Sequence, residues 1–260
     1  MKYGICMQSL VPVRFQPGDK QEMINQLLFG DQVFIKGQVK EWVLVQTLDD
    51  EYEGWVDRKQ VEIISKEEFN ELLNADDFFS LELASHVSSE DGQTNLMFTL
   101  GARLPGYNLN RFQVNGNVFL FPGDTCSNRE NASPGHILLY AEKYLNAPYL
   151  WGGRSPFGID CSGLVQMVFK MGGVLLPRDS SQQVNMGSPV NFIHEAQPGD
   201  LAFFGEEEGD ITHVGIITGN GSIIHASGKV RVDHIDHQGI FNAIENKYTH
   251  HLRVIKHILT

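Results

Sequence analysis

Cys161 stands where a glycine-rich loop gives way to a helical pattern. Segment 148–165 holds four glycines and two prolines, and Leu164, Val165 and Val168 then follow at helical spacing. A helix is therefore predicted to begin at Cys161. Unpaired amides and the dipole at a helix N-terminus favour an anion, so we expect the thiol pKa to fall from about 8.5 toward neutrality. Such a thiolate could act as a nucleophile, although a lone cysteine before a helix is more often only a packed side chain.

Two histidines follow on a predicted β-hairpin. Residues 211–218 and 222–226 alternate as strands and flank Gly-Asn-Gly at 219–221. If all three residues form the loop, odd-numbered residues of both strands share a face, and His213 and His225 are diagonal neighbours. A two-residue loop would break that alignment. A thiolate, a base and a group that orients the base are the components of nucleophilic catalysis.

Short β-like runs precede this region, and their spacing is typical of small barrels. An amphipathic helix with Ser65 as N-cap separates two groups of such runs, and the polar, turn-forming stretch 127–134 is suited to a domain boundary. The second group is interpreted as a divergent second barrel. The predicted domains are 1–65, 66–130 and 131–260.

The composition excludes some classes of partner. The chain of 260 residues carries a formal net charge of −12 and no basic stripe, so nucleic acid and anionic membranes are disfavoured as partners. Three cysteines are too few, and odd in number, for a disulfide framework, and this favours a reducing compartment. No apolar run typical of a signal peptide or a membrane span is present, so a cytoplasmic location is expected.

Three segments carry a resemblance to a known family. Asp160-Cys161-Ser162-Gly163-Leu164, His213-Val214-Gly215-Ile216 and Ile224-His225-Ala226-Ser227 resemble the motifs of NlpC/P60 cysteine peptidases, as does Pro198-Gly199-Asp200-Leu201. The resemblance covers residues 134–260. It implies a papain-like α+β catalytic domain with Cys161 as nucleophile, His213 as base and His225 as the orienting group. No cofactor or metal is implied.

The N-terminal part resembles bacterial SH3-like domains, through Val11-Pro12-Val13-Arg14, Gly30-Asp31, Trp42-Val43 and Gly54-Trp55-Val56. The whole chain is therefore similar to the dipeptidyl-peptidase VI (YkfC-type) branch, an α+β papain-like domain preceded by two small SH3-like barrels. That branch acts on free murein peptides such as L-Ala-γ-D-Glu-diamino acid and cuts after D-Glu. The resemblance implies substrate contacts by Glu22, Tyr52, Tyr149, Trp151, Asp160, Ser162, Asp179 and Ser180. Glu22 and Tyr52 would bind the free N-terminal amine, because a carboxylate in a partly dry cleft pairs with an ammonium.

Other functions stay open at this point. A secreted hydrolase of polymeric cell wall and a non-catalytic wall-binding module use the same domains, and the diamino acid and oligomeric state are not specified. A Cys/His/His zinc site is a minor alternative. The remaining histidines have no ordered ligand spacing; they include His234, His237, His250, His251 and His257.

Overall fold

The computed structural model describes residues 2–127, 133–206 and 209–259. Contacts divide the chain into two compact units, Met1–Glu130 with Trp151–Pro156, and Asn131–Leu150 with Phe157–Thr260. The predicted boundary at 130/131 lies outside the described residues. The division into three domains stays a prediction.

The N-terminal unit is built mainly from short antiparallel strands. In chain order its elements up to residue 127 are β1 (Lys2–Ile5), β2 (Leu10–Arg14), β3 (Met23–Leu28), β4 (Gln32–Val39), β5 (Trp42–Thr47), β6 (Glu53–Asp57), a 3₁₀ turn (Arg58–Gln60), β7 (Glu62–Ile64), α1 (Lys66–Asn74), β8 (Asp77–Ser80), β9 (Ala84–Ser89), β10 (Asn95–Thr99), β11 (Arg103–Pro105), β12 (Arg111–Val114), β13 (Asn117–Leu120) and β14 (Thr125–Ser127).

The first seven strands form one sheet in the order β3-β2-β6-β5-β4-β1-β7. Alternation in β5 buries Val43, Val45 and Thr47 on one face. Valines dominate the core beneath this face, because β-branched side chains pack well on a pleated surface.

The helix after these strands is capped as predicted, since the Ser65 side chain accepts a hydrogen bond from the Glu68 amide at 3.0 Å. The strands that follow form a four-stranded sheet, β10-β9-β13-β12, and a three-stranded sheet, β11-β8-β14. Side chains from both predicted barrels share one aromatic-rich core, in which the rings of Phe29 and Phe98 lie 4.2 Å apart. The two segments are therefore packed as one unit, and the second SH3-like barrel stays a prediction.

The rest of the chain continues with α2 (Pro134–Lys143), β15 (Arg154–Ser155), β16 (Gly158–Ile159), α3 (Cys161–Met171), α4 (Ser180–Gln183), β17 (Ser188–Val190), a 3₁₀ turn (Ile193–Glu195), β18 (Leu201–Gly205), β19 (Ile211–Gly219), β20 (Ser222–Ser227), β21 (Lys229–Ile235), β22 (Gly239–Asn242) and β23 (Lys247–His257). The larger strands of the C-terminal unit form a sheet in the order β17-β23-β18-β19-β20-β21-β22. Because β22 also pairs with β23, the six strands from β18 to β23 close on themselves.

Helix α3 is buried along its whole length and contacts α2, β19 and β20. A helix that is apolar nearly all round fits such a central position. Its placement holds Cys161, the first helical residue, against the sheet that carries both histidines. Within the described ranges, no helix is both long and apolar enough to cross a bilayer.

Candidate active site

The helix start predicted at Cys161 is confirmed. Asp160 is the N-cap, and its Oδ1 accepts a hydrogen bond of 2.7 Å from the Gly163 amide. The backbone amides of Val214 and Ser162 are hydrogen-bonded to the Cys161 sulfur. The thiol is thus held between the start of α3 and strand β19, at the residue that follows His213.

A buried arginine that the sequence interpretation did not single out completes this helix start. Arg178 donates to Asp160 Oδ1 at 3.0 Å and to Asp160 Oδ2 at 2.6 Å, and its Nη1 also donates to Ser162 Oγ at 2.9 Å. Arg178 and Asp160 are both almost fully buried. Such a bidentate ion pair between Arg178 and Asp160 has a fixed geometry. It therefore holds the loop on one side of Cys161 and the first helical turn on the other.

The expectation that the helix start lowers the pKa of the Cys161 thiol toward neutrality is wrong. Burial raises the pKa of Cys161 to about 12, and the Asp160 carboxylate acts in the same direction. The two amides and the Arg178 guanidinium act in the opposite direction without overcoming the loss of water. The helix terminus is present as predicted, but its effect is smaller than the cost of placing a lone charge in a dry site.

The histidine hairpin reaches the predicted alignment by another route. Only Asn220 and Gly221 form the loop, with φ of 52° and 69°, as in a type I′ turn. The three-residue loop was wrong. A bulge between Ile217 and Gly219 adds the extra residue on β19 and restores the shared face.

His213 and His225 therefore meet diagonally across the two strands. Gly215 lies directly opposite His225, and His213 is two residues before it. A Cβ on Gly215 would come within 3.0 Å of His225 Cβ, so the glycine leaves room for the second ring. His213 Nε2 and His225 Nδ1 lie 2.9 Å apart, within hydrogen-bond distance.

A third imidazole packs on this pair. The His250 ring, on β23, stacks on His213 with centroids 4.1 Å apart and planes inclined by 26°. Burial, the His250 ring and the His225 ring together lower the pKa of His213 well below 6.5, and burial lowers that of His250 to about 4. Both rings are therefore neutral near pH 7, as a general base must be.

A carboxylate beside the histidines was also missed. His225 Nε2 lies 3.0 Å from Asp233 Oδ2, and Arg231 Nε lies 2.6 Å from the same oxygen. Asp233 is on β21, diagonal to His225 in the register that pairs His225 with Arg231. The alternation that aligned the histidines could have found it, once extended across the tight turn at Gly228.

Comparison with known proteins identifies the family of this chain. Residues 146–252 match the NlpC/P60 family, and residues 13–61 match the bacterial dipeptidyl-peptidase SH3 domain. A gamma-D-glutamyl-L-lysine dipeptidyl-peptidase from Bacillus subtilis (strain 168) is 30% identical over 221 residues, which cover 78% of this chain and 71% of that relative. The chain belongs to the NlpC/P60 family. It is therefore a cysteine peptidase with an N-terminal SH3-like domain.

A second relative of the same name, from Bacillus cereus (strain ATCC 10987 / NRS 248), is 27% identical over 226 residues, covering 78% of this chain and 66% of that relative. The crystal structure of an NlpC/P60 family protein from Bacillus cereus ATCC 10987 superposes with a TM-score of 0.84 at 20% identity, covering 99% of this chain and 100% of that one. At that identity the likeness shows the fold alone. The predicted α+β NlpC/P60 fold is confirmed.

Tyr149 is an aromatic residue whose phenol interacts electrostatically with the Cys161 thiol. Burial raises the pKa of this phenol to about 12, with further contributions from Cys161 and Asp160. The side chain is 37% exposed. A phenol that stays protonated and partly accessible is able to donate a hydrogen bond to a developing oxyanion.

Two of the predicted substrate-binding residues meet within the N-terminal unit. Trp151 Nε1 donates a hydrogen bond of 2.8 Å to Glu22 Oε1, although 129 positions separate them. The Trp151 side chain is 60% exposed, which excludes a role as core packing. Gly152 fixes the segment, because its φ is 77° and a Cβ at this position would lie only 2.6 Å from the Met23 carbonyl oxygen. The aromatic surface of Trp151 is available for a ligand.

The other predicted substrate contacts lie as follows. Tyr52 is half-buried where β5 turns into β6, with its backbone bonded to Thr47. Asp179 is the N-cap of the four-residue α4 without a side-chain cap bond, and Ser180 is the first residue of that helix. The Asp160 and Ser162 side chains are engaged by Arg178, which favours a positioning role for both. The contacts of all eight residues with substrate stay predictions.

Proposed function

We propose that Cys161 attacks the amide between γ-D-Glu and the diamino acid of free murein peptides, with His213 as base and His225 as its orienting partner. The 2.9 Å contact between the two histidines, next to a thiol held at a helix start, carries this proposal. The names of the two relatives support the bond type.

The chemistry follows from the contacts. His213 accepts the Cys161 proton as the sulfur bonds to the amide carbonyl carbon, and Tyr149 donates to the oxyanion. Burial penalises a lone thiolate and a lone imidazolium, so the two charges form together and attract one another. The tetrahedral intermediate then collapses to a thioester, and His213 returns the proton to the departing amine. Water hydrolyses the thioester with His213 again as base, which releases the glutamyl product and the free thiol.

The choice between free peptides and polymeric wall is proposed to depend on recognition of the free N-terminal amine. Glu22 is exposed and carries a carboxylate that can pair with an ammonium, and the Trp151 indole already fixes one of its oxygens. An acetylated N-terminus would leave that carboxylate without its partner. The enzyme should therefore act on free peptides during cell-wall recycling rather than on polymeric wall.

The test is mass spectrometry of products from L-Ala-γ-D-Glu-L-Lys, from its diaminopimelate analogue and from each peptide with an acetylated N-terminus. We expect L-Ala-D-Glu as a product of the free peptides and none from the acetylated ones. Cys161→Ala should abolish turnover, and Glu22→Gln should narrow the difference between free and acetylated peptides. Turnover by C161A would refute the thiol mechanism. Equal rates on free peptides and intact sacculi would instead favour a wall hydrolase.

The buried thiols of Cys6 and Cys161 are not in disulfide bonds, which supports a reducing, cytoplasmic site of action. Fractionation of cells that express the tagged protein tests this location. Recovery in the cell wall or medium would contradict it.

A zinc site is the alternative raised by the histidines. One ligand atom from each of His213, His225 and His250 lies within 4.8 Å of the others. Metal analysis of purified protein separates the two functions. The thiol mechanism predicts activity unaffected by chelation, whereas stoichiometric zinc and loss of activity with a chelator would favour the metal.

A further inference from the structure

We infer that Asp233 is a positioning residue that sets the tautomers of both active-site histidines, so that the free nitrogen of His213 is Nδ1. This inference rests on the proposed function and deepens it. It starts from the 3.0 Å contact between Asp233 Oδ2 and His225 Nε2, which lies outside the Cys161, His213 and His225 set.

The assignment follows from donor and acceptor roles. A carboxylate can only accept, so His225 Nε2 carries the proton in that bond. In a neutral ring the opposite nitrogen, Nδ1, then holds a lone pair and accepts from His213 Nε2 at 2.9 Å. His213 Nε2 therefore carries a proton as well. The remaining nitrogen of a neutral His213, Nδ1, is the base.

Asp233 is held in the ionised form that this role needs. Burial alone would raise its pKa, but hydrogen bonds from His225 and Arg231 outweigh burial and hold the pKa below the ordinary value. Arg231 Nη2 donates to Asp233 Oδ1 at 2.8 Å, while Arg231 Nε lies 2.6 Å from Oδ2. The guanidinium thus fixes the plane of the carboxylate.

The charge of Asp233 also matters after the proton moves. When His213 becomes an imidazolium, its Nε2 proton still points at His225 Nδ1, and His225 still donates to Asp233. The negative carboxylate then stabilises the positive charge through the intervening ring. Arg231 prevents the carboxylate from turning away.

The decisive variant is Asp233→Asn, whose amide can either accept from His225 Nε2 or donate to it. Donation would move the His225 proton to Nδ1. The hydrogen bond between His225 Nδ1 and His213 Nε2 would then run in the opposite direction, with His225 as donor. We expect kcat to fall about 10- to 100-fold with little change in KM, as for the loss of an outer partner of an active-site histidine. Asp236→Asn is the matched control, because that carboxylate, one residue past the end of β21, binds Tyr248 and no active-site group among its described contacts. D236N should keep the wild-type kcat.

A structural role alone would not move the tautomers, so the second measurement is ¹H–¹⁵N correlation spectroscopy of labelled histidines in the C161A protein. We expect His213 and His225 with protons on Nε2, and mixed tautomers in the C161A/D233N protein. A His213 proton on Nδ1 while Asp233 is present would overturn the inference even if D233N did not fold. Unchanged tautomers in C161A/D233N together with a wild-type kcat in D233N would also overturn it. The spectra need no turnover, so failure to cleave murein peptides would contradict the proposed function and not this assignment.

Discussion

Replacing Arg178 with Met should destabilise the C-terminal unit far more than removal of an exposed cation. The substitution keeps an unbranched chain but removes three hydrogen bonds, two to Asp160 and one to Ser162. The Arg178 side chain is 1% exposed and that of Asp160 6%, so the orphaned carboxylate cannot regain water without opening the fold. Breaking such a buried pair costs about 3–5 kcal/mol.

This free energy corresponds to roughly two to four orders of magnitude in the unfolding equilibrium constant. Hydrogen exchange of the α3 amides measures it, because those amides are buried and exchange only when the unit opens. We expect their protection factors to fall by that amount in R178M. Lys247→Met is the control: its ion pair with Glu245 is exposed to solvent, so its loss should leave the protection factors nearly unchanged.

A double variant separates the lost attraction from the stranded charge. Asp160→Asn retains an oxygen to cap Gly163 and carries no charge, so D160N/R178M should be less destabilised than the sum of the single variants. A loss of protection below about tenfold in R178M, comparable with K247M, would refute the reasoning. Additive effects in the double variant would show that the charge is not what makes R178M unstable.

Three further expectations concern the histidine pair and its surroundings. Gly215→Ala should cost about 1–3 kcal/mol and lower kcat, because its Cβ would lie 2.7 Å from Ile223 Cδ1 and 3.0 Å from His225 Cβ; an unperturbed variant in urea unfolding and kinetics would contradict this. Because the folded pKa values of His213 and His250 lie below 6.5, the unfolded chain binds more protons and stability should fall as the pH drops from 6.5 toward 4. His250→Phe should weaken this dependence of stability on pH, as measured by urea titrations at several pH values. An unchanged slope of the unfolding free energy against pH would contradict this expectation. Tyr149→Phe should lower kcat about 100- to 1000-fold if the phenol serves the oxyanion, and a wild-type kcat would exclude that role.

The site could be predicted where its signals are local. Cys161 before an apolar helical pattern and two histidines on alternating strands need only the neighbouring residues, and the structure places them as expected. The two-residue loop did not break the alignment of the histidines. The bulge on β19 adds the one extra residue that the predicted three-residue loop would have supplied, so the strand register is the same. Alternation set which face the histidines share, and turn geometry was the weaker signal.

The contacts that escaped prediction join residues that are far apart along the chain. Trp151 and Glu22 meet across 129 positions, and Arg178 reaches Asp160 across 18. His250 stacks on His213 only because the sheet closes through β22 and β23. No periodicity within one segment specifies which distant segments become neighbours.

By itself the sequence determined the peptidase family, the reactive cysteine and its paired histidines, because motif order and strand alternation are written in consecutive residues. Only the tertiary structure decided the protonation of that site. Burial raises the pKa of the Cys161 thiol and lowers that of His213, and packing delivers the Asp233 carboxylate to His225. Desolvation and long-range hydrogen bonds are properties of the folded chain, so the chemistry of these residues is fixed only when the fold removes water from around them.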